Sequence, residues 1–212
     1  MIERTAAELI RAEIIKSGPG SVFTPSHFRE LVAEKGTVER TLSRLAQKGS
    51  VQRIGHGLYY YPESGTVFGV LPPKPEAVAQ ALAEGSPLVP SGPTALHRLG
   101  LTTQVPMKYS YLTGRSSRTE QLGKIRVELN KVPERRLSGA GTKAGEILSA
   151  IEYVGHKEAS SAEFCGKIAR KLTEQELAQL QQAAKPRFEW VKSVVEKITK
   201  TWRLMNECAA NA

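Results

Sequence analysis

The stretch that most constrains this chain is residues 37–61, where a helical pattern passes, with little more than Gly49 between, into two β-favouring runs. Advancing 100° per residue from Thr37 to Lys48 places Val38, Leu42 and Leu45 within about 60° of one another. Arg40, Ser43, Arg44 and Gln47 occupy the opposite side, spread over about 100°. One narrow apolar stripe can hold such a helix to a core while its polar side chains face outward. Thr37 is the expected N-cap and Gly49 the stop. Ser50–Ile54 and Leu58–Tyr61 then flank Gly55-His56-Gly57, a short glycine-bearing connection that reads as a β-hairpin.

Upstream, Ile2, Ala6, Leu9, Ile10, Ile14 and Ile15 recur at helical spacing, and Ser17-Gly18-Pro19-Gly20 ends that helix. Ser21–Thr24 reads as a very short strand. Pro25-Ser26 opens a second helix, with Ser26 as N-cap and a body reaching Val32. Glu34-Lys35-Gly36 is the expected turn before the third helix. Three helices followed directly by a hairpin is the pattern of a winged helix-turn-helix, in which the third helix enters a DNA major groove. Arginine suits guanine, glutamine suits adenine, and serine suits either. The expected DNA contacts are Ser26, Thr37, Arg40, Ser43, Arg44, Gln47, Lys48, Arg53 and His56. Ser26 and Thr37 would fix phosphates near helix N-termini, while Arg53 and His56 would act from the hairpin. His56 reads equally as a solvated turn residue, and Tyr59, Tyr60 and Tyr61 read mainly as core and sheet packing.

Charge agrees with a polyanionic partner without locating it. The net charge is +9; residues 1–62 hold nine Lys/Arg against six Glu (+3), and residues 63–212 hold 21 against 15 (+6). All 21 acidic residues are glutamate, and aspartate is absent. Metal-dependent nucleases and nucleotidyltransferases usually fix their cations with the shorter carboxylate, so the composition weighs against such an enzyme. There is no P-loop, no dinucleotide-binding glycine fingerprint, no nucleophile elbow and no zinc spacing among His27, His56, His97, His156, Cys165 and Cys208. The expectation is a non-enzymatic protein without cofactor or metal. The alternative is a nucleic-acid-processing enzyme that uses a winged helix for targeting. No run of about 20 apolar residues, as a membrane helix needs, is present. The N-terminus lacks a secretory pattern, so a cytoplasmic location with both cysteines reduced is expected.

Residues 63–75, rich in proline and glycine, read as a linker with some extended structure over Val67–Leu71. Beyond it, helices are expected at 76–84 and 94–98, a brief strand at 88–90, and strands at 108–113 and 124–132. Tyr109, Tyr111, Ile125, Val127 and Leu129 are the expected inward set. The loop Gly114-Arg115-Ser116-Ser117-Arg118 has two readings: a solvated hairpin connection, or an anion or nucleic-acid contact through Arg115 and Arg118. From Lys143 onward helices are expected at 143–154, 160–172, 174–184 and 187–205. The last carries Phe188, Val191, Val194, Val195, Ile198, Trp202 and Met205 on one face, for packing or for a protein partner. The fold class is therefore α+β: a winged helix-turn-helix at 1–62 followed by a helix-rich mixed α/β domain at 76–212.

Phe23-Thr24-Pro25-Ser26, Val38–Leu45 with Ser43-Arg44-Leu45, Gly49, Arg53-Ile54-Gly55, Gly57-Leu58-Tyr59-Tyr60 and Tyr61-Pro62 together resemble the N-terminal domain of AbiEi-type antitoxins. These belong to bacterial abortive-infection, type IV toxin–antitoxin systems. The likeness covers residues 1–62 in detail and continues loosely at Pro90–Leu96 and Leu99-Gly100-Leu101. It departs at the hairpin tip, where the family often has arginine before the glycine and this chain has His56. The resemblance implies a repressor that binds inverted repeats in the operator of its own operon. It also implies a C-terminal domain that counteracts a nucleotidyltransferase toxin encoded next door, directly or without a stable complex.

Overall fold

The computed structural model describes residues 5–63 and 69–210. The expected helix start at Ile2 and the extended reading at Val67-Phe68 lie outside the described residues. The protein is a mixed α+β structure with two small sheets. Its chain divides into two compact units, residues 1–85 with 120–127 and residues 86–119 with 128–212. The sequence reading placed the division at 63–75. Instead α3 (Pro75–Ala83) groups with the first unit, contributing buried Val78, Ala79, Leu82 and Ala83.

In the first unit, α1 (Ala6–Ser17) starts at a capping box. Thr5 Oγ1 accepts from the Glu8 amide at 3.3 Å, and Glu8 Oε2 accepts from the Thr5 amide at 2.8 Å. Ile10 and Ile14 turn inward, whereas Ile15, one residue round the helix, is 60% exposed. A three-stranded antiparallel sheet has the order β1 (Val22–Phe23), β3 (Leu58–Tyr60), β2 (Gln52–Gly55). The turn between β2 and β3 is His56-Gly57, with Gly57 at φ +62°, a conformation that favours glycine. Tyr59 and Tyr60 are buried; the Tyr60 hydroxyl donates to the Leu71 carbonyl at 2.8 Å and accepts from the Glu63 amide at 3.4 Å.

Two helix expectations are corrected here. The second helix is a four-residue 3₁₀ turn, Pro25–Phe28, not a helix to Val32, and Ser26 lies inside it rather than at its cap. Its amides close short rings, His27 to the Thr24 carbonyl and Arg29 to the Ser26 carbonyl, and Leu31 remains 40% exposed. A segment anchored by Phe28 and Val32 alone has too narrow an apolar face for a longer helix. Next, α2 spans Lys35–Gln47, so Lys35 and Gly36 are helical and Thr37 sits in the first turn. The Glu34 carbonyl accepts the Thr37 and Val38 amides at 3.1 and 3.3 Å, which sets the start. Ile10, Ile14, Phe23, Phe28, Val38, Leu42, Leu45 and Val51 form one core.

In the second unit, β4 (Leu88–Ser91) pairs antiparallel with β5 (Lys108–Thr113). The sheet order is β4, β5, β7 (Ile125–Lys131), β6 (Arg118–Leu122), although residues 120–127, the end of β6 and the start of β7, group with the first unit. Tyr111, Val127 and Leu129 are buried as expected, while Tyr109 and Ile125 are half-buried. Ser110–Thr113 is buried residue after residue, so β5 lacks the simple alternation its pattern implied. β6 escaped the sequence reading because Arg118-Thr119-Glu120-Gln121-Leu122 offers one apolar side chain. Helices α4 (Pro93–Arg98), α5 (Lys143–Ala159), α6 (Ala162–Ala169), α7 (Glu174–Ala184) and α8 (Glu189–Ala210) complete the unit, with a break in α5 at Gly155 (φ 81°). On α8, Val191, Val194, Val195 and Ile198 are buried and Trp202 is half-buried; Phe188 and Met205, expected on that face, are 51% and 36% exposed. The Arg135 guanidinium lies 4.7 Å from the Phe188 ring centroid.

An ion-pair network ties the loop before α5 to the start of α8. Arg187, with 1% of its side chain exposed, donates to Glu152 Oε1 at 2.7 Å and to the Arg136 carbonyl at 2.9 Å. Arg136 Nε donates to the other Glu152 oxygen at 2.8 Å. Burial pulls the Arg187 pKa down and the Glu152 charge pulls it back up. Cys165 and Cys208 are both free; burial pushes the Cys165 thiol pKa up, which suits a packed rather than a reactive cysteine. Among the described residues no helix is long and apolar enough to cross a membrane. Replacing Glu152 with alanine leaves Arg187 buried without its counter-charge. The expected loss is about 3–5 kcal/mol in a urea melt of the full chain.

Candidate nucleic-acid interface

Helix α2 divides cleanly by solvent access. Val38, Leu42 and Leu45 are 1%, 0% and 5% exposed, and Thr41 joins them at 8%. Arg40, Ser43, Arg44, Gln47 and Lys48 are all exposed. The helix is therefore held by its aliphatic ridge while the opposite face carries donors and acceptors into solvent. Lys48 occupies the C-cap position, its amide donating to the Arg44 carbonyl at 3.0 Å, while the Gly49 amide donates to the Ala46 carbonyl at 3.0 Å. A cation there also complements the negative end of the helix.

The two arginines of that face differ. Arg40 folds back along its own first turn: Nε donates to the Gly36 carbonyl at 3.1 Å, and a terminal nitrogen reaches Glu34 Oε1 and Thr37 Oγ1, both at 3.3 Å. Thr37 Oγ1 in turn donates to Glu34 Oε2 at 2.6 Å. The Arg40 and Glu34 side chains are 67% and 71% exposed, so this is a solvated pair worth about 1 kcal/mol at most. Lys35 pairs with Glu39 at 3.7 Å on the same turn. The beginning of the helix is thus self-compensated, whereas Arg44 and Lys48 near its end make no ion pair with the described residues. Glu34 and Glu39 were not counted among the functional positions in the sequence. Glu34 lies outside the expected helix and six residues from Arg40, beyond any i, i+4 rule.

The hairpin β2–β3 follows α2 within the same unit. Arg53 is exposed and its Nε donates to the Gly55 carbonyl at 3.3 Å; His56 is exposed at the turn. Ser26 stands apart from these residues. Its hydroxyl donates to Glu84, and it shares a 2.6 Å bond with Thr24 Oγ1. It lines a cavity of about 530 Å³ together with Glu13, Lys16, His27, Glu30 and Glu84, where carboxylates outnumber the lysine and disfavour a phosphate. Thr37 is half-buried and committed to Glu34, not to an open helix terminus. Of the expected contacts, six share α2 or the hairpin with open access: Ser43, Arg44, Gln47, Lys48, Arg53 and His56. Arg40 joins them once it leaves Glu34. In the second unit, Arg115 is exposed after β5 and Arg118 is half-buried in β6, with Ser117 Oγ accepting from the Lys131 amide at 2.9 Å. Among the described residues there is no group of three or more His, Cys, Asp or Glu able to hold a metal ion.

The chain belongs to the DUF6088 family, a family of unknown function, whose family model matches residues 9–180. No curated protein matches. Among solved structures, the crystal structure of the RV2827C protein from Mycobacterium tuberculosis is similar at a TM-score of 0.47 and 12% identity, over 94% of this chain and 78% of that one. At that level neither a function nor a residue role is carried across.

The division of α2 into an anchoring and a presenting face is open to direct measurement. Leu42→Ala should cost about 2–5 kcal/mol of stability through the cavity it opens. Ser43→Ala, one residue on, should stay within about 0.5 kcal/mol. Urea unfolding of both variants followed by circular dichroism checks this, and equal costs would reverse the assignment of faces.

Proposed function

We propose that the first unit is a winged helix-turn-helix and that the protein is a sequence-specific DNA-binding repressor without enzymatic activity. The carrying observation is that one helix buries Val38, Leu42 and Leu45 while leaving Ser43, Arg44 and Gln47 open to solvent, directly ahead of a two-stranded hairpin. On this reading α2 lies in the major groove, with Arg44 and Gln47 addressing base edges and Ser43 beside them. Lys48, Arg53 and His56 meet the sugar–phosphate backbone, which positions the helix without carrying sequence information. Arg40 joins the base-contacting set by exchanging Glu34 for DNA. Ser26 and Thr37 are left out because their hydroxyls serve Glu84 and Glu34. Arg115 and Arg118 are likewise no part of this interface.

The resemblance of residues 1–62 to AbiEi-type antitoxins supports a narrower reading. The protein acts in the cytoplasm on inverted repeats upstream of its own reading frame, as antitoxin to an adjacent nucleotidyltransferase toxin. The sequence-specific step is the part that the geometry supports best.

Fluorescence anisotropy with a labelled duplex from the DNA upstream of the reading frame, competed by mixed-sequence duplex, tests the proposal. Arg44→Ala should lose about 1–3 kcal/mol of specific binding and relax preference at one base pair. No preference of the wild-type protein for the upstream duplex would overturn the repressor reading. Glu34→Gln should act oppositely. Freeing Arg40 from an exposed ion pair should raise affinity by no more than about fivefold at low salt, with the gain fading as salt rises.

A further inference from the structure

The first unit contains a second hairpin that approaches the one just described. Residues 120–127, the ends of β6 and β7 with the turn between them, group with residues 1–85. Glu120 lies against β2 so closely that a Cβ built on Gly55 would stand 2.7 Å from Glu120 Oε2 and 3.4 Å from its carboxyl carbon. Glycine at position 55 leaves the room that this approach uses. The side chains of the hairpin alternate: Glu120, Leu122 and Ile125 are half-buried and Val127 is fully buried, while Gln121 and Arg126 are exposed. Gly123, at φ +58°, and Lys124 form the two-residue turn, and Lys124 is exposed at its tip. The outer face is internally braced, with Arg126 Nε donating to Gln121 Oε1 at 3.4 Å and Gln121 Nε2 donating to the Gly123 carbonyl at 2.7 Å.

A strand rises about 3.3 Å per residue, so the Lys124 backbone lies no further than about 13 Å from that of Glu120, whose side chain meets Gly55. Two cations are therefore presented on a short, braced ribbon next to the turn that carries His56. Neighbouring phosphates along a DNA strand repeat on a scale of several ångströms, well inside that reach.

We infer that the tip of this hairpin is a second DNA-backbone contact, in which Lys124 and Arg126 bind phosphates flanking those met by the β2–β3 turn. The inference rests on the DNA-binding reading of α2 and adds to it a wider footprint with no added base readout. Two phosphate contacts contribute about 1.8 to the slope of log affinity against log salt, at about 0.9 each. Glu120 stays on the inner side, where it abuts Gly55, and only the cationic edge of the ribbon faces the duplex.

The test uses the full chain and two labelled 30-base-pair duplexes, one from upstream of the reading frame and one of mixed sequence. The expected result for Lys124→Ala/Arg126→Ala is weaker binding to both duplexes by the same factor and a salt slope shallower by about two. Over a fourfold rise in salt, its affinity should fall about twelvefold less than that of the wild type. Arg44→Ala, measured alongside, should instead weaken the upstream duplex selectively. An unchanged slope for the double variant, with Arg44→Ala still impaired, overturns the second contact and leaves the α2 reading standing. Absence of binding by the wild-type protein to either duplex overturns both. Because both side chains are exposed, the variant should melt like the wild type; a lower melting temperature moves the decision to cross-linking. For that measurement a photoactivatable group is attached at Lys124→Cys in a Cys208→Ser background, since Cys208 is exposed. Cross-linking to the mixed-sequence duplex supports the inference, and its absence overturns it.

Discussion

The anchoring of α2 through Val38, Leu42 and Leu45 is the interaction on which the rest of the first unit depends. These side chains meet Ile10 and Ile14 of α1, Phe23 of β1 and Phe28 of the 3₁₀ turn in one core. A stripe this narrow buries enough apolar surface to hold the helix and leaves most of its circumference free. A broader stripe would have drawn Ser43 or Gln47 toward the core and closed the outward face. The polar side of α2 is open because its apolar side is so confined.

Charge on that open face is unevenly spent. At the start of the helix Glu34, Thr37 and Arg40 satisfy one another, and Lys35 meets Glu39. Towards the end Arg44 and Lys48 have no such carboxylate partner among the described residues, although the partial negative charge of the helix C-terminus offsets part of theirs. A polyanion approaching α2 therefore meets side-chain cations without carboxylate partners at the end nearest the hairpin. The same economy appears in the second unit with the opposite purpose. Glu152 and Arg187 are paired almost out of solvent, with the partly exposed Arg136 on the second carboxylate oxygen, and there the gain is structural and the cost of a missing partner is high.

Much of the first unit was legible in the residues themselves. The 3.6-residue spacing of Val38, Leu42 and Leu45, the glycines at 49 and 57, and the β-branched and aromatic runs at 51–54 and 58–61 each act over a few residues. Such signals survive without knowledge of distant neighbours. The second helix was read too long because Phe28, Leu31 and Val32 keep helical spacing, and a pattern cannot say how much core is there to receive them. Arg118–Leu122 was not read as a strand because hydrogen bonding to β7, not its own side chains, makes it one.

The sequence by itself determined which face of α2 is apolar, where the β2–β3 hairpin turns, and that helices dominate after Lys143, because periodicity and turn chemistry are local properties. Only the tertiary structure decided that Ser26 serves Glu84, that Arg40 is tethered to Glu34, and that residues 120–127 group with the first 85. Those outcomes join positions six, 58 or more residues apart, and contacts at such separations are set by how the core closes rather than by any rule of spacing.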